Sequence, residues 1–571
     1  MDLIQTLTNQ NIHPKTALDQ LHSLSKAVLI SRGILPNDLT EMLDFSLAKL
    51  QDPMSLLGME RAVNRLYQAL LHKERILIYG DYDLDGSSGV CLLKMGLDQL
   101  GFPHVGFYQP DRHKEGYGVH PQLISGFADQ GITLILTVDV GITAHQAAEE
   151  CLRHGIDLVI TDHHLPQESL PKAYVIVNPN QKDDASDLKF LCGAAVGFYL
   201  IRALKRKWSL EKLPHSNLDL KSLLPYVVLS TVTDMVPLIK DNRILVKHGL
   251  DAIPKTALPS WKELLKKFTY GKKRLQVSDV SISIAPKLNA LTRMSGELTP
   301  VGYLLSSEQT LLKERLDYLV QKNKERETEQ QLAQEIAQEL ACVRTQNEHF
   351  LFVANSNIHL GVLGLVANKI SQDDEIPVFV AGKNEEGLFV GSARLPEKMS
   401  GSLLDVLNFC SMELIRFGGH SHAAGFMFSE TMMDALHEKL RMFFTMQKFM
   451  EREITLQPVA AQLTQFFEAD FIRDLDLLEP FGKGFEAFLF EVRKLRVLSI
   501  QTIKEKHLKL MITDESNQLT IIGWLFSATK AQIEFLKVAF EQKKLVNVYT
   551  QVQMNEFRGK LELQLLIKKS S

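Results

Sequence analysis

Short apolar runs of strand length, alternating with helical patterns, constrain this chain more than any other feature. They fall at residues 75–79 (RILIY), 134–138 (LILTV), 157–161 (DLVIT) and 174–177 (YVIV), with helix-period segments at 90–100 and 144–153 among them. A strand that is apolar at nearly every residue is buried on both faces, and the intervening helices supply the cover. The pattern predicts an α/β domain on a parallel sheet. In such a sheet ligands gather outside the carboxyl ends of the strands, so the residues that follow each run are where chemistry is expected.

Those residues are acidic or imidazole. The first run leads into Gly80-Asp81-Tyr82-Asp83-Leu84-Asp85-Gly86, the second into Asp139-Val140-Gly141 and the third into Asp162-His163-His164. A further apolar run at 226–232, read as a fourth strand, leads into Asp234. Carboxylates crowded into one crevice repel one another unless cations neutralise them. Oxygen ligands with one or two imidazoles suit manganese or magnesium better than a thiol-seeking metal, and the combined reading is a dinuclear metal site. The D-x-D-x-D-G run also opens an EF-hand loop, but position 12 counted from Asp81 is Leu92, and the run follows a strand. An Asp-rich turn or a pair of structural histidines would explain any one motif alone. Four strand ends together outweigh that explanation.

Elsewhere the texture changes. Roughly the first 70 residues have helical periodicity. Residues 310–342 are highly charged, lack Gly and Pro and carry leucines at helical spacing, which predicts one long helix as a spacer between two lobes. Strand-like runs at 350–354, 377–381 and 388–393 indicate a second α/β region. From about residue 488 onward five β-type runs follow, which suits a small barrel, with an OB-fold the leading candidate. The net charge is −4, yet residues 491–571 hold 14 Lys plus Arg against 8 Asp plus Glu, a net +6 that leaves −10 on the rest. A basic end on an acidic body suggests a polyanion-binding module; a solvated strand surface is the alternative. A second basic stretch, 262–274 (KELLKKFTYGKKR), reads either as a path for a nucleic-acid strand or as a solvated helix face. Cys91, Cys151, Cys192, Cys342 and Cys410 lie far apart with no C-x-x-C pair, which indicates a reducing compartment and argues against a thiolate zinc site. The chain start lacks a basic segment followed by an apolar one, and no run approaches the roughly 20 apolar residues of a membrane span. A cytoplasmic protein without membrane association is expected.

GDYDLDG, TVDVGIT, Asp162-His163-His164 and TVTDMVPL resemble, in order, the metal-binding motifs of the DHH phosphoesterase family. The resemblance narrows to that family's bacterial single-strand-DNA exonucleases through 108–112 (YQPDR), 115–118 (EGYG), 284–290 (IAPKLNA), 391–394 (GSAR), 418–425 (GGHSHAAG), 479–482 (EPFG) and 555–559 (NEFRG). It covers almost the whole chain past the helical start. It implies a two-lobed DHH phosphoesterase core plus a C-terminal β-barrel OB-fold. The expected divisions are an N-terminal helical region at 1–70, a DHH catalytic domain at 71–305, a connecting helix at 306–345, a DHH-associated α/β domain with the GGH motif at 346–455 and a nucleic-acid-binding OB-fold at 456–571.

The resemblance also implies roles. Asp83 and Asp139, with Asp81, would hold one of two divalent ions, Mn2+ or Mg2+. Asp85, Asp139, His163 and Asp234 would hold the other, with Asp139 bridging. Asp139, His163 and His164 would be catalytic. His164 is set apart as a donor to the leaving oxygen rather than a ligand, because adjacent side chains on an extended strand diverge. Ser392, Arg394 and His420 would form a pocket for a terminal or scissile phosphate shared between the lobes. Arg112 and Arg293 are further phosphate contacts, Tyr117 a base-stacking residue, and His359 lies near the same cleft. Phe557, Arg558 and Trp524 would contact the strand in the barrel. The implied activity is 5′-to-3′ hydrolysis of single-stranded DNA to 5′-mononucleotides in recombination and repair. The implied partners are single-stranded DNA and, from family membership, a single-strand binding protein and a helicase.

Several positions depart from the family pattern. Val140 and Phe485 stand for asparagines, Lys287 for an arginine, Leu291-Thr292 for a small Ala-Gly step, Ile358 for a tryptophan and Leu395 for a serine. None removes an expected metal ligand, and the expectation is that they alter nucleic-acid contacts. Two other readings stay open: a DHH phosphodiesterase on short oligoribonucleotides or cyclic dinucleotides, which would lack the barrel, and an inactive DNA-binding scaffold, which would have lost carboxylates.

Overall fold

The computed structural model describes residues 20–570 apart from 113, 342–348, 448, 452–456, 505 and 558. Arg558, Cys342 and the first part of the expected N-terminal region thus lie outside the described residues. The chain divides into two compact units, one of Met1–Ala285, Leu304–Gln309 and Leu456–Ser571, the other of Pro286–Tyr303 and Thr310–Thr455.

In the first unit, helix α1 (Ser23–Ser31) precedes a five-stranded parallel sheet of β1 (Arg75–Gly80), β2 (Val105–Tyr108), β3 (Ile132–Val138), β4 (Asp157–Thr161) and β5 (Val175–Val177). The order is β2-β1-β3-β4-β5. The apolar runs of the sequence are β1, β3, β4 and β5. The edge strand β2 exposes two of its four residues, which is why continuous apolarity does not mark it. Strand order reverses between β1 and β3, the point where α/β sheets open a crevice. Helices α2 (Leu84–Gln99), α3 (His145–Arg153), α4 (Gly193–Leu210), α5 (Leu224–Thr233) and α6 (Pro259–Phe268) belong to the same unit.

The run at 226–232 is not a strand. It lies within α5, where residues 224–232 are all buried, so no polar face reveals the helical period. Pro225 in the first turn is the helical signal that apolarity masks. Asp234 accordingly sits at a helix C-terminus instead of a strand end.

The second unit holds helix α7 (Gln309–Ala341), then β6 (Leu351–Ala354), α8 (Leu363–Asp374), β7 (Val378–Lys383), β8 (Phe389–Arg394), β9 (Arg416–Gly419) and β10 (Ala423–Phe428), in sheet order β9-β10-β8-β7-β6. Helix α7 is more than a spacer: Ala333 and Ala337 are buried with Val353, Val366 and Val380 in this unit's core.

Returning to the first unit, the C-terminal segment forms β11 (Phe490–Ile503), β12 (His507–Thr513), β13 (Thr520–Leu525), helix α9 (Lys530–Glu541), β14 (Leu545–Phe557) and β15 (Lys560–Ser570). They pair in the order β11-β12-β13-β15-β14, and β14 pairs back onto β11, which closes the ring. Helix α1 belongs to this ring's core: Leu24, Val28 and Leu29 pack with Phe466, Phe471 and Phe490. Arg32 donates to the Glu486 and Ala487 carbonyls at 2.6 and 3.1 Å.

Candidate metal centre

The acidic residues meet because three turns end at the β1/β3 switch point. Asp83 caps α2 by accepting the Gly86 N–H at 3.0 Å, which holds Asp81, Asp83 and Asp85 on one tight turn. Asp139 follows β3 in the left-handed region, φ +63°, a conformation that costs a non-glycine residue about 1–3 kcal/mol. Its N–H donates to the Thr161 carbonyl at 3.1 Å, which offsets part of that cost. A Cβ at position 193 would meet Asp139 Cβ at 2.5 Å, so glycine there lets the start of α4 reach the site. The Gly193 and Ala194 N–H groups donate to the two Asp85 oxygens at 2.9 and 2.8 Å, and the Ser230 hydroxyl adds a third bond. The Asp85 carboxyl is thereby seated on a helix N-terminus.

His163 Nε2 lies 3.2 Å from Asp139 Oδ1 and 3.7 Å from both Asp85 Oδ2 and Asp234 Oδ2. The fully buried Asp162 serves the local backbone. Its Oδ2 accepts the Ile142 N–H at 2.9 Å, and its Oδ1 accepts the His163 and His164 N–H groups at 2.7 and 3.1 Å. These bonds bend the chain after β4, so the two imidazoles lie side by side with centroids 4.6 Å apart. Divergence along an extended strand therefore does not separate their roles. What distinguishes His164 is the 2.8 Å bond between its Nδ1 and Asp162.

Three groups of ligand atoms lie within 4.8 Å of one another: Asp81, Asp83 and Asp139; Asp85, His163 and Asp234; and Asp139, His163 and His164. Burial and mutual repulsion push the Asp81 and Asp139 carboxyls well above their ordinary range and raise Asp83 as well. Burial and the charges of Asp85 and Asp83 push Asp234 up to about 8. Burial holds His163 below its ordinary value. For His164 burial favours the neutral ring, but the bond to Asp162 overcomes it and holds the imidazole up at about 9. Asp81 Oδ1 and Asp139 Oδ1 are buried with no hydrogen-bond partner among the described residues. Buried carboxylate oxygens are costly without a proton or a cation, and this oxygen-rich donor set with imidazole fits Mn2+ or Mg2+.

Around the cluster, the Tyr117 hydroxyl is 3.4 Å from His164 Nδ1, and the Arg112 guanidinium lies 4.9 Å over the Tyr82 ring. The structure adds supports that the sequence reading did not single out. Asn178 Nδ2 donates to the His164 carbonyl at 2.9 Å, and Asn180 Nδ2 donates to the His163 carbonyl. The Asn-Pro-Asn run at 178–180 carries only a turn signal in the sequence. Gln109 Nε2 donates to the Asp81 carbonyl at 2.6 Å.

In the second unit, Arg394 at the end of β8 donates to Ser392 Oγ at 2.8 Å. Arg394 pairs in register with Ala423, whose carbonyl accepts the His420 N–H at 2.7 Å, so the three residues share one end of the sheet. A Cβ at Gly364 would meet Arg394 Nη2 at 2.8 Å, which places the guanidinium against the first turn of α8. Arg293 donates to the Gly361 carbonyl at 3.2 Å, and His359 Nδ1 accepts the Gly361 N–H at 3.0 Å. Trp524 stacks on Phe526 with rings 5.6 Å apart and 3° from parallel. Phe557 is exposed at the end of β14.

The departures from the family pattern are mostly interior. Val140, Ile358, Leu395 and Phe485 are 1, 2, 2 and 4% exposed. These four side chains are interior, so they bear on nucleic acid only through what they pack against, and Phe485 lies under the Arg243 guanidinium at 4.3 Å. Lys287 is partly exposed on the helix Ala285–Arg293.

The family model for the DHH family, N-terminal domain, matches residues 75–223, and the RecJ OB domain model matches residues 462–569. The single-stranded-DNA-specific exonuclease RecJ of Dickeya dadantii is 31% identical over 580 residues, covering 96% of each chain. This chain belongs to the RecJ family. RecJ of Escherichia coli is 30% identical, again over 96% of each chain. The crystal structure of RecJ from Thermus thermophilus in complex with Mn2+ matches with a TM-score of 0.77 at 25% identity, covering 98% of this chain and 77% of that one. The parallel sheet is therefore the DHH domain of a RecJ-family enzyme, and the closed ring is its OB domain. Among the described residues no helix is long and apolar enough to cross a membrane.

Proposed function

We propose that this chain is a single-strand-DNA-specific exonuclease that hydrolyses phosphodiester bonds from the 5′ end with two divalent ions, Mn2+ or Mg2+, and releases 5′-mononucleotides in recombination and repair. The observation that carries the reading is the pair of donor groups, Asp81-Asp83-Asp139 and Asp85-His163-Asp234, with two buried carboxylate oxygens that have no hydrogen-bond partner among the described residues. When bound, the ions supply Lewis acidity toward the phosphate and a more acidic attacking water. The chain's residues do the rest. Asp139 groups with Asp81 and Asp83 and also lies 3.2 Å from His163, so it would serve both ions; Asp85 is fixed by the start of α4, and His163 is aimed by the backbone bonds of Asp162 and Asn180. His164, held as an imidazolium by its Nδ1 bond to Asp162, carries at Nε2 a second proton that it gives to the leaving oxygen.

Arg112 binds phosphate and Tyr117 stacks on a base next to the reacting bond. Ser392, Arg394 and His420, with Arg293, offer hydroxyl, guanidinium and imidazole to a terminal phosphate. The OB domain holds the strand through Phe557, Arg558 and its basic surface. We assign the catalytic domain to 71–305, the connecting helix to 306–345, the DHH-associated domain to 346–455 and the OB domain to 456–571. A single-strand binding protein and a helicase are the partners that would supply such a substrate. The complete carboxylate set speaks against an inactive scaffold, and the barrel against an enzyme of short oligoribonucleotides or cyclic dinucleotides. The 5′-to-3′ direction rests on the likeness to the exonuclease family. Asp139→Ala and His163→Ala should each abolish hydrolysis while single-strand binding in chelator survives. Wild-type turnover by either variant would sink the metal assignment.

A further inference from the structure

Two basic, aromatic segments of the sequence meet in the first unit. They are the loop after α6 and the end of β14. Lys272 Nζ donates to Asn555 Oδ1 at 2.9 Å, and Glu556 Oε2 accepts the backbone N–H groups of Lys273 and Arg274 at 3.2 and 3.0 Å. Lys272 also pairs with Asp279 at 2.7 Å and Arg274 with Glu479 at 2.8 Å. The polar residues of the two segments thus bind one another and fix the end of β14 against the loop. The rings of Tyr270, 68% exposed, and Phe557, 46% exposed, meet at this surface with centroids 5.6 Å apart at 73°.

Tyr270 is held there against its backbone preference. It stands just past the end of α6 with φ +53°, the left-handed position where helices usually place glycine. A bulky residue in a sparsely populated conformation, presenting its ring to solvent, points to a surface used for contact. The surrounding charge identifies the contact. Lys266, Lys267 and Lys273 are exposed near Tyr270 in the chain, and the exposed Lys560 pairs in register with Phe557. Flat rings among cations fit a polyanion whose bases are free to leave the stack.

We infer that Tyr270 and Phe557 form one base-stacking subsite for single-stranded DNA, in which an unstacked base lies against the step between the two rings. The inference rests on the exonuclease reading above and adds Tyr270 to it. Duplex bases remain stacked within their helix, so the subsite takes single strands and leaves duplexes.

The test is equilibrium binding of a fluorescent oligothymidylate in chelator, where no hydrolysis occurs, to the full chain and to Tyr270→Ala, Phe557→Ala and Tyr270→Phe. Each alanine variant should bind about tenfold more weakly and Tyr270→Phe within about twofold of the parent, as base–aromatic stacking predicts. Unchanged melting temperatures would show that the exposed rings are dispensable for folding. A single abasic site walked along the strand should weaken binding to the parent at one position and leave Tyr270→Ala indifferent at that position. Alanine variants that bind within about twofold of the parent, or an abasic scan that affects parent and variant alike, would overturn the inference and leave the exonuclease reading standing. A parent chain that neither binds nor degrades single strands would overturn both.

Discussion

Asp139 shows how much local structure a single ligand position requires. Its left-handed backbone is tolerated because Thr161 accepts its N–H, and its side chain has room because residue 193 is glycine. Gly193→Ala should therefore cost about 1–3 kcal/mol in denaturant unfolding with chelator, since the new methyl must displace Asp139 or the start of α4. A variant as stable as the parent would mean that this close approach relaxes freely. Asn180 is a second case. It binds the carbonyl of the proposed ligand His163 and touches no proposed ligand atom, so Asn180→Ala should weaken Mn2+ binding about 10- to 100-fold by calorimetric titration. Unchanged affinity would reduce Asn180 to a turn residue. The carboxylates and His163 were legible because each follows an apolar run, and strand ends are where α/β sheets collect ligands. The asparagines were not, because an Asn-Pro-Asn turn has the same chemistry whether or not a metal site lies above it.

At the scale of elements, apolar runs translated well where burial and strand length coincided, as in β1, β3 and β4. The same criterion failed at α5, whose uniform burial removes the polar stripe that distinguishes a helix. Helix α9 drew no expectation, although Thr529 and Gln532 form a capping box at its start. The docking of α1 on the OB ring was beyond reach for another reason. Its partners, Phe466 to Phe490, lie more than 400 residues away, and periodicity carries no information about partner choice. The packing makes a definite prediction: Leu29→Ala, at a fully buried position, should cost about 2–5 kcal/mol in unfolding measurements. A cost near zero would show that α1 is peripheral to the ring.

For the whole molecule, the carboxylate cluster links stability to pH and to metal. Asp81, Asp83, Asp139 and Asp234 have raised values in the folded chain, so without metal it binds their protons more tightly than the unfolded chain does. Their contribution is present below the unfolded carboxylate value of about 4 and is lost as pH rises through the folded values, which reach about 8 for Asp234. His164, held at about 9, has the same sign. Asp162, lowered by its bonds to His164 and the backbone despite burial, has the opposite sign, and its contribution is lost only on acidification below its unfolded value. His163, lowered by burial, also has the opposite sign and gains as pH rises through about 6.5, but it stands alone against the five raised groups. The melting temperature in chelator should therefore fall between pH 5 and pH 8, and Mn2+ should restore most of the loss at pH 8. A melting temperature in chelator that rises over this range would contradict the electrostatic account of the cluster. The central claim is that this cluster performs metal-dependent hydrolysis at the 5′ end of a single strand. The most direct test incubates the protein with single-stranded DNA labelled separately at either end, with Mn2+, Mg2+ or chelator. Immediate release of the 5′ label as a mononucleotide, abolished by chelator, is the predicted result; release from the 3′ end first, or no degradation with either metal, would contradict it.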